Sequence, residues 1–129
     1  MPTRRAGFTL IELLIVVVII SVLAAIALPK FSNTKGKANL NAMRSDLRNI
    51  AVAQEAFAYE NNRYANEGEL NFVFSPGVHS AAGVTITGTA SGWSAKVTHD
   101  QAYPQTCALY MGTVPPVAPA TAEGIIGCN

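Results

Sequence analysis

The chain has 129 residues, of which 13% are charged, and its formal net charge is +1. This balance gives no electrostatic footprint for nucleic acid and none for an acidic substrate. The length leaves room for one small domain beside a membrane segment.

The first predicted element is an apolar helix that follows a short basic segment. Residues 13–28 carry no charge and one polar side chain, Ser21. A helix over residues 8–28 would be about 30 Å long at ~1.5 Å per residue, roughly the thickness of a bilayer core. Arg4 and Arg5 precede the run, and positive charge on the cytoplasmic flank directs the rest of the chain outwards. The sequence therefore predicts a transmembrane helix followed by an exported domain.

Glu12 is a carboxylate inside this apolar run. A charge at the bilayer centre costs at least ~2.5–3.5 kcal/mol, so such an acid either reaches towards the headgroups or has a functional partner. Three interpretations stay open: a secretory signal cleaved after residues 25–27, an anchor retained whole, or processing between Gly7 and Phe8. Only the third creates a partner for the acid, because the new amine would lie four residues away on the same helix face.

This N-terminus resembles that of bacterial type IV pilins and of the related pseudopilins of type II secretion. The resemblance rests on the basic leader, the letters GFTLIE at residues 7–12 and an apolar run that ends at Pro29. It implies that a membrane peptidase cleaves after Gly7 and methylates the new amine of Phe8. It also implies that Glu12 meets the terminal amine of a neighbouring subunit during filament assembly.

Two positions are expected to govern how the apolar helix bends. Pro29 lacks an N–H donor and should kink or locally open the helix, and Ser21 stands where the helix of this family often has a glycine. Lys30, Lys35 and Lys37 follow as the one basic cluster of the exported part. A contact with DNA or anionic lipid is one interpretation of this cluster. We expect instead a solvated helix face or an ion-pair strip between subunits, and no specific nucleic-acid site.

Beyond the proline the chain keeps a helical period. An apolar stripe at alternating spacings of four and three residues predicts that the helix continues to about residue 62 and packs on the chain's own domain. Asp46 and the other charged residues of this segment are expected on other faces. The stripe, which is interrupted by a glycine and a glutamine, consists of Gly36, Leu40, Met43, Leu47, Ile50, Gln54 and Phe57.

Strand signals follow a long predicted loop at 65–82, in which a short strand or turn with the apolar patch 70–74 should dock inwards. Alternating polarity predicts strands at 84–87 and 93–98, joined as a hairpin. A third strand is predicted at 107–111, with Cys107, Leu109 and Met111 on one face and Ala108 and Tyr110 on the other. Three to four antiparallel strands with one apolar face would cover the helical stripe. The predicted fold class is α+β, a long N-terminal helix on a small antiparallel sheet, which is the pilin fold that the resemblance implies.

Cys107 and Cys128 are the two cysteines of the chain. In an exported domain they predict a disulfide rather than a metal site, and closing a loop of this length stabilises by roughly 3 kcal/mol. Two reduced, buried thiols are the alternative, which an exported chain disfavours. The tail at 114–122 is rich in proline and alanine and should be irregular. Many pilins carry such a disulfide-closed loop on the filament surface.

No residue pattern predicts catalysis, so we expect no enzyme, no cofactor and no metal site. His79 and His99 lack further ligands at metal-site spacing and are expected to be solvated. Glu67 and Glu69 are interpreted as loop residues rather than an acid–base pair. Glu123 is the single acid after the third strand, which argues against the calcium site of related pseudopilins.

The expected organisation is a leader at 1–7, an assembly helix at 8–29, an amphipathic helix at 30–62 and a loop, sheet and closed C-terminal loop at 63–129. The expected function is that of a pilin, held in the inner membrane and then polymerised into an extracellular filament for motility, adhesion or DNA uptake. Its expected partners are its own copies, a prepilin peptidase and the pilus assembly machinery. The alternatives are a major pseudopilin of type II secretion and, from another class, a membrane-anchored or secreted binding module. The cysteine pair favours the pilin.

Overall fold

The computed structural model describes residues 7–80, 86–102 and 105–129, and side chains at 29–33 and 80 lie outside this description. The chain forms two compact units, Met1–Lys35 and Gly36–Asn129. The elements in chain order are α1 (Leu10–Asn61), β1 (Val78–Ser80), β2 (Thr87–Gly88), β3 (Gly92–His99), β4 (Thr106–Gly112) and β5 (Gly127–Cys128).

In the first unit, α1 presents an apolar surface all round. The side chains at 7–26 are exposed, and Leu10–Leu28 is long and apolar enough to cross a membrane. A helix that is apolar on every side needs lipid or other helices around it. The helix assignment continues through Pro29, and the Ser21 hydroxyl donates to the Val17 carbonyl at 2.7 Å. The bend expected at these two positions stays a prediction.

In the second unit, α1 supplies one wall of the core. Met43, Leu47 and Ile50 are fully buried and pack with Trp93 and Val97 of β3, as the predicted stripe requires. The helix ends at Asn61, and the next residue, an asparagine, adopts a positive φ of 54°. Asparagine tolerates this left-handed backbone better than most residues, so it closes the helix.

The other wall is an antiparallel sheet with strand order β1-β3-β4-β5, in which β2 also pairs with β3. The central pair runs from Gly92 opposite Gly112 to Thr98 opposite Thr106. The described residues form five strands, whereas three to four were expected. The sequence did not reveal β1 and β5, because strands of three and two residues are too short to show an alternation. The predicted hairpin exists through β2 and β3, but residues 84–85 of the predicted strand lie outside the described residues.

β4 is buried on both faces, whereas the sequence predicted one apolar face. Cys107 and Leu109 face the helical stripe. Ala108 and Tyr110 form a second cluster with Ala120 of the proline-rich tail. The tail has no helix or strand before β5, so it can follow the surface of the sheet and cover it.

The C-terminal segment also follows β4 along its side. The Gly124 N–H donates to the Tyr110 carbonyl at 3.0 Å, and the Gly112 N–H donates to Glu123 Oε1 at 2.6 Å. Cys107 pairs with Cys128 in the register of β4 and β5. Most of β4 is therefore bordered by the last residues of the chain.

The loop between α1 and β1 is only partly free of the core. Leu70, Phe72 and Phe74 pack against the core cluster, and the two phenylalanine rings meet edge to face at 5.0 Å. Val73 is 88% exposed. Most of the predicted patch therefore docks inwards, and Val73 does not. Val78–Ser80, which the sequence placed in this loop, is β1.

Candidate functional site

Glu12 lies in the first turn of α1, where local sequence fixes its side chain. The Thr9 N–H and the Thr9 hydroxyl both donate to Glu12 Oε2, at 2.8 and 2.7 Å. In return the Glu12 N–H donates to the Thr9 hydroxyl oxygen at 3.3 Å. This is a capping box, in which a threonine and the glutamate three residues later satisfy two orphan donors of the helix. The sequence signature of this box is T-x-x-E at residues 9–12.

The capping box occupies one carboxylate oxygen of Glu12 and leaves the other available. Glu12 Oε1 accepts no hydrogen bond from the residues that the structure describes. The acid therefore faces outwards from an apolar helix with half of its hydrogen-bonding capacity unused. An ammonium group is the partner that best offsets the cost of burying such a carboxylate.

Gly7 and Phe8 precede α1 and are exposed. Phe8 is 77% exposed, and a side chain built at Gly7 would meet no atom within 4 Å among the described residues. Gly7 and Phe8 precede Glu12 by five and four residues in the chain, whereas Ser21 and Pro29 lie further along α1.

In the second unit, a buried acid fastens the long loop to the helix. Asp46 is only 2% exposed, although the sequence placed it on a solvent face. Its carboxylate accepts hydrogen bonds from the Ser75 N–H at 2.8 Å and from the Ser75 hydroxyl at 2.7 Å. A carboxylate becomes tolerable in a core when donors satisfy it, and these donors come from a loop that the helical period cannot reveal.

Gln54, eight residues after Asp46 in α1, also holds a loop residue against the helix. Its side chain is fully buried, donating to the Ala65 carbonyl and accepting from the Ala65 N–H, both at 2.8 Å. The side-chain amide thus satisfies both backbone groups of Ala65, as a neighbouring strand would do in a sheet. What the sequence showed as an interruption of the apolar stripe is a hydrogen-bonding clamp.

An ion pair stabilises the turn that follows α1. Arg63 binds Glu69 through two hydrogen bonds, at 2.9 and 2.6 Å, and its guanidinium lies 5.2 Å from the centre of the Phe57 ring. The Arg63 guanidinium, together with the Asn66 N–H, lowers the pKa of Glu69 to about 2. Glu69 is therefore a structural residue and more than a solubilising one.

The cysteines form a disulfide between β4 and β5, with their Cα atoms 4.2 Å apart. Asn129 closes the end of this ladder, since its side-chain oxygen accepts from the Thr106 N–H at 2.8 Å and its own N–H donates to the Thr106 carbonyl at 3.1 Å. The sulfurs are bonded to each other, so no free thiol is left in the chain.

The histidines differ from each other in environment. His79 is half exposed and lies 3.3 Å from Asp100. His99 is only 7% exposed, and its Nδ1 accepts a hydrogen bond from the Gln101 N–H at 3.1 Å. The expectation that both are solvated was wrong for His99, because it ends β3 under the turn that follows. Within the described ranges, no group of three or more His, Cys, Asp or Glu side chains could hold a metal ion.

Comparison with known proteins identifies a family motif in the N-terminal segment that contains Gly7, Phe8 and Glu12. The family described as "Prokaryotic N-terminal methylation motif" matches residues 2–28. The chain is 41% identical over 70 residues to the type IV major pilin protein PilA of Myxococcus xanthus, which is 54% of this chain and 32% of that protein. It is 36% identical over 92 residues to the fimbrial protein of Neisseria meningitidis, or 71% of this chain and 48% of that protein.

A second group of relatives is named after secretion. The chain is 38% identical over 61 residues to the type II secretion system core protein G of Pectobacterium carotovorum, covering 47% of this chain and 39% of that protein. In these three comparisons the chain spans about a third to a half of the length of its curated relatives.

Proposed function

We propose that this chain, a type IV pilin-like protein, is the structural subunit of a type IV pilus filament. The observation that carries the proposal is the first unit itself. An apolar helical surface, exposed on every side, bears a half-satisfied carboxylate, Glu12, inside the segment that matches the methylation motif. Lipid satisfies such a surface before assembly, and other copies of the helix satisfy it afterwards.

Processing would supply a positively charged partner for Glu12. Hydrolysis of the peptide bond between Gly7 and Phe8 would release the leader and leave an ammonium at Phe8, which is then methylated. The hydrogen bonds from Thr9 already hold one oxygen of Glu12 within its own subunit. The other oxygen is then available to a Phe8 amine, and in the proposed filament this is the amine of the next subunit.

This ion pair would set the register of the polymer. Apolar packing alone allows one helix to slide along another, because lipid and helix surfaces are similar in polarity. Two opposite charges in an apolar environment strongly disfavour every register that separates them. Head-to-neighbour pairing is a heterologous contact that does not close, so it propagates as a helical filament.

The proposal fixes where the subunit acts and what it meets. It would wait in the inner membrane through Leu10–Leu28, meet a prepilin peptidase and the pilus assembly machinery, and end in an extracellular filament of its own copies. Motility, adhesion and DNA uptake are the surface functions that such a filament serves.

The mature N-terminus tests the processing step. Intact mass and N-terminal sequencing of the exported chain should give a start at methylated Phe8. A start at Leu28 would instead indicate a secretory signal, and an intact Met1 an anchor retained whole. Either of these results would remove the amine on which the assembly step depends.

Two substitutions at Glu12 test the assembly step. Glu12→Ala should be processed and inserted but should yield few filaments. Glu12→Gln is the sharper variant, because glutamine keeps the capping box while it removes the charge. Both variants should lose filaments to a similar extent, as measured by shearing and quantifying the surface fraction. Normal filament yield from Glu12→Gln would show that the charge is not required.

A major pseudopilin of type II secretion is the second candidate, favoured by the relatives named core protein G. The closed C-terminal loop, in which Glu123 is engaged by the Gly112 N–H, supports the pilin. Deletion of the gene in its host separates the two. Loss of surface filaments with normal exoprotein release supports a pilin, and the reverse supports a pseudopilin.

A further inference from the structure

An open groove on the second unit combines positive charge with apolar side chains. It has a volume of about 600 Å³ and lies between α1, β4 and the C-terminal segment. We call it the arginine groove, and the residues that matter in it are Arg44, Arg48, Leu109, Met111, Ile125 and Ile126. Ile125 is 61% exposed, so the apolar part of the groove is open to a partner.

The two arginines of the groove have no partner in the described part of the chain. Both are exposed, and neither forms an ion pair or side-chain hydrogen bond with any residue that the structure describes. They are four residues apart on α1, so their guanidinium groups lie on one face and repel each other slightly. The groove therefore fits a partner that carries a carboxylate beside an apolar surface.

The same chain presents such a surface near the end of α1. Val52 and Tyr59 are 72% and 90% exposed, and Ala56 between them is also exposed. Glu60 flanks them, is exposed, and has no partner among the described residues. These four positions are spaced by four, three and one residues, so they share a helix face opposite the buried stripe. We call this the outer helix face.

We propose that the arginine groove of one subunit binds the outer helix face of the next subunit, with Glu60 directed at Arg44 and Arg48. The proposal rests on the proposed function, because it needs a polymer of this chain. It adds the surface through which the exported units recognise each other. Charge and polarity are complementary on both sides: two unpaired cations and apolar side chains face an unpaired acid and apolar side chains.

The positions of the two surfaces also suit a polymer. Their helical parts follow each other along one row of α1, with Arg44 and Arg48 first and the outer helix face after them. The two surfaces consist of different residues, so the contact is heterologous and every subunit can use both. Their centres are about ten residues apart on α1, which corresponds to about 15 Å along the helix at ~1.5 Å per residue. Parallel neighbours staggered by a step of this order would bring the groove of one against the outer helix face of another.

Charge reversal tests the pairing in cells that assemble filaments from the full chain. Arg48→Glu and Glu60→Lys should each lower the yield of sheared filament at least about tenfold, because like charges then face each other in the interface. The double variant should recover most of the yield. Lys96→Glu is the matched control, since it makes the same charge change at a half-buried position of β3 outside the groove and the outer helix face, and it should assemble normally. Processing and the disulfide should be unchanged in every variant.

A photocrosslinking residue at position 125 identifies the occupant directly. Trypsin cuts after Arg48 and Arg63, so a dimer-sized band should contain the peptide 49–63 crosslinked to position 125. Crosslinks to lipid or to another protein instead, or single variants that assemble like the parent, would overturn the inference. So would a double variant that is not rescued. If the parent chain builds no filament and forms no dimer crosslink, the proposed function fails as well, whereas normal filaments without this crosslink refute the groove alone.

Discussion

Asp46→Ala is the substitution that best tests how the long loop is held on the helix. Asp46 is buried, and both of its hydrogen bonds come from Ser75, 29 residues further along the chain. Truncation to alanine removes the acceptor of two donors at once. We therefore expect the second unit to lose stability while the first turn of α1 stays unchanged.

The magnitude follows from the two contacts. A hydrogen bond to a charged group contributes about 1.5–3 kcal/mol, and the half-buried Ser75 can recover part of this through water. The expected loss is about 3 kcal/mol, a large share of the 5–15 kcal/mol that stabilise a typical domain. For a unit of this size, that loss lowers the midpoint of thermal unfolding by more than about 10 °C.

The fluorescence of Trp93 is a suitable assay. It is the only tryptophan of the chain and is fully buried in the second unit, so its emission should shift when the core opens. The full chain is kept in detergent micelles and heated. Asp46→Asn retains an acceptor for the Ser75 N–H, and Ser75→Ala retains the backbone donor, so each should cost less than Asp46→Ala.

The relative stabilities of the three variants test whether the two hydrogen bonds hold the loop. A midpoint for Asp46→Ala within about 2 °C of the parent would show that the loop is held by other contacts. An Asp46→Asn variant as unstable as the alanine variant would show that charge itself, rather than the two hydrogen bonds, stabilises this site.

Three further outcomes are expected with the same fluorescence assay. Gln54→Leu should cost about 2 kcal/mol, because it leaves two buried backbone groups without partners, and an unchanged midpoint would contradict the clamp. Reduction of Cys107–Cys128 should destabilise the second unit by roughly 3 kcal/mol, and equal protease resistance before and after reduction would count against this. The Arg63–Glu69 pair holds the pKa of Glu69 at about 2, below the ordinary 4.5. Its contribution is therefore present above pH 4.5 and is lost as the pH falls towards 2. Glu69→Gln should flatten this acid dependence, and an unaltered acid profile would exclude the pair as its source.

The parts of the fold that repeat along the sequence were predictable. The spacing of Met43, Leu47 and Ile50 predicted the buried side of α1, and alternating polarity predicted β3. A run of apolar residues predicted β4. Two or three residues cannot show a period, so β1 and β5 were not found as strands. Their pairing depends on neighbours that only the tertiary structure supplies.

Buried polar residues show the same limit more sharply. Asp46 and Gln54 are core residues because Ser75 and Ala65 satisfy them. Nothing in the helical period indicates those partners, since they lie 29 and 11 residues away in loops. His99 is likewise buried by the turn after β3. A period assigns polar residues to solvent unless a distant donor or acceptor is known.

The N-terminal site stays a proposal, but it is one that a sequence can suggest because it is local. The chemistry proposed for Gly7, Phe8 and Glu12 needs only a few consecutive residues, and the Thr9 capping box could have been predicted from them too. The arginine groove is the opposite case. It joins a helix, a strand and the C-terminal segment, so its existence depends on the fold.

The hydrogen bonds along β4 also bear on how the protein avoids aggregation. An unpaired strand edge can recruit the edge of another copy and start a continuous sheet. Here the free edge of β4 is covered by two parts of the C-terminal segment. β5 pairs with Cys107 and Ala108 and is fixed by the disulfide, and the Gly124 N–H binds the Tyr110 carbonyl further along the strand. Loss of the last residues would leave β4 open to cross-β aggregation. The C-terminal segment thus protects the second unit from association through its sheet.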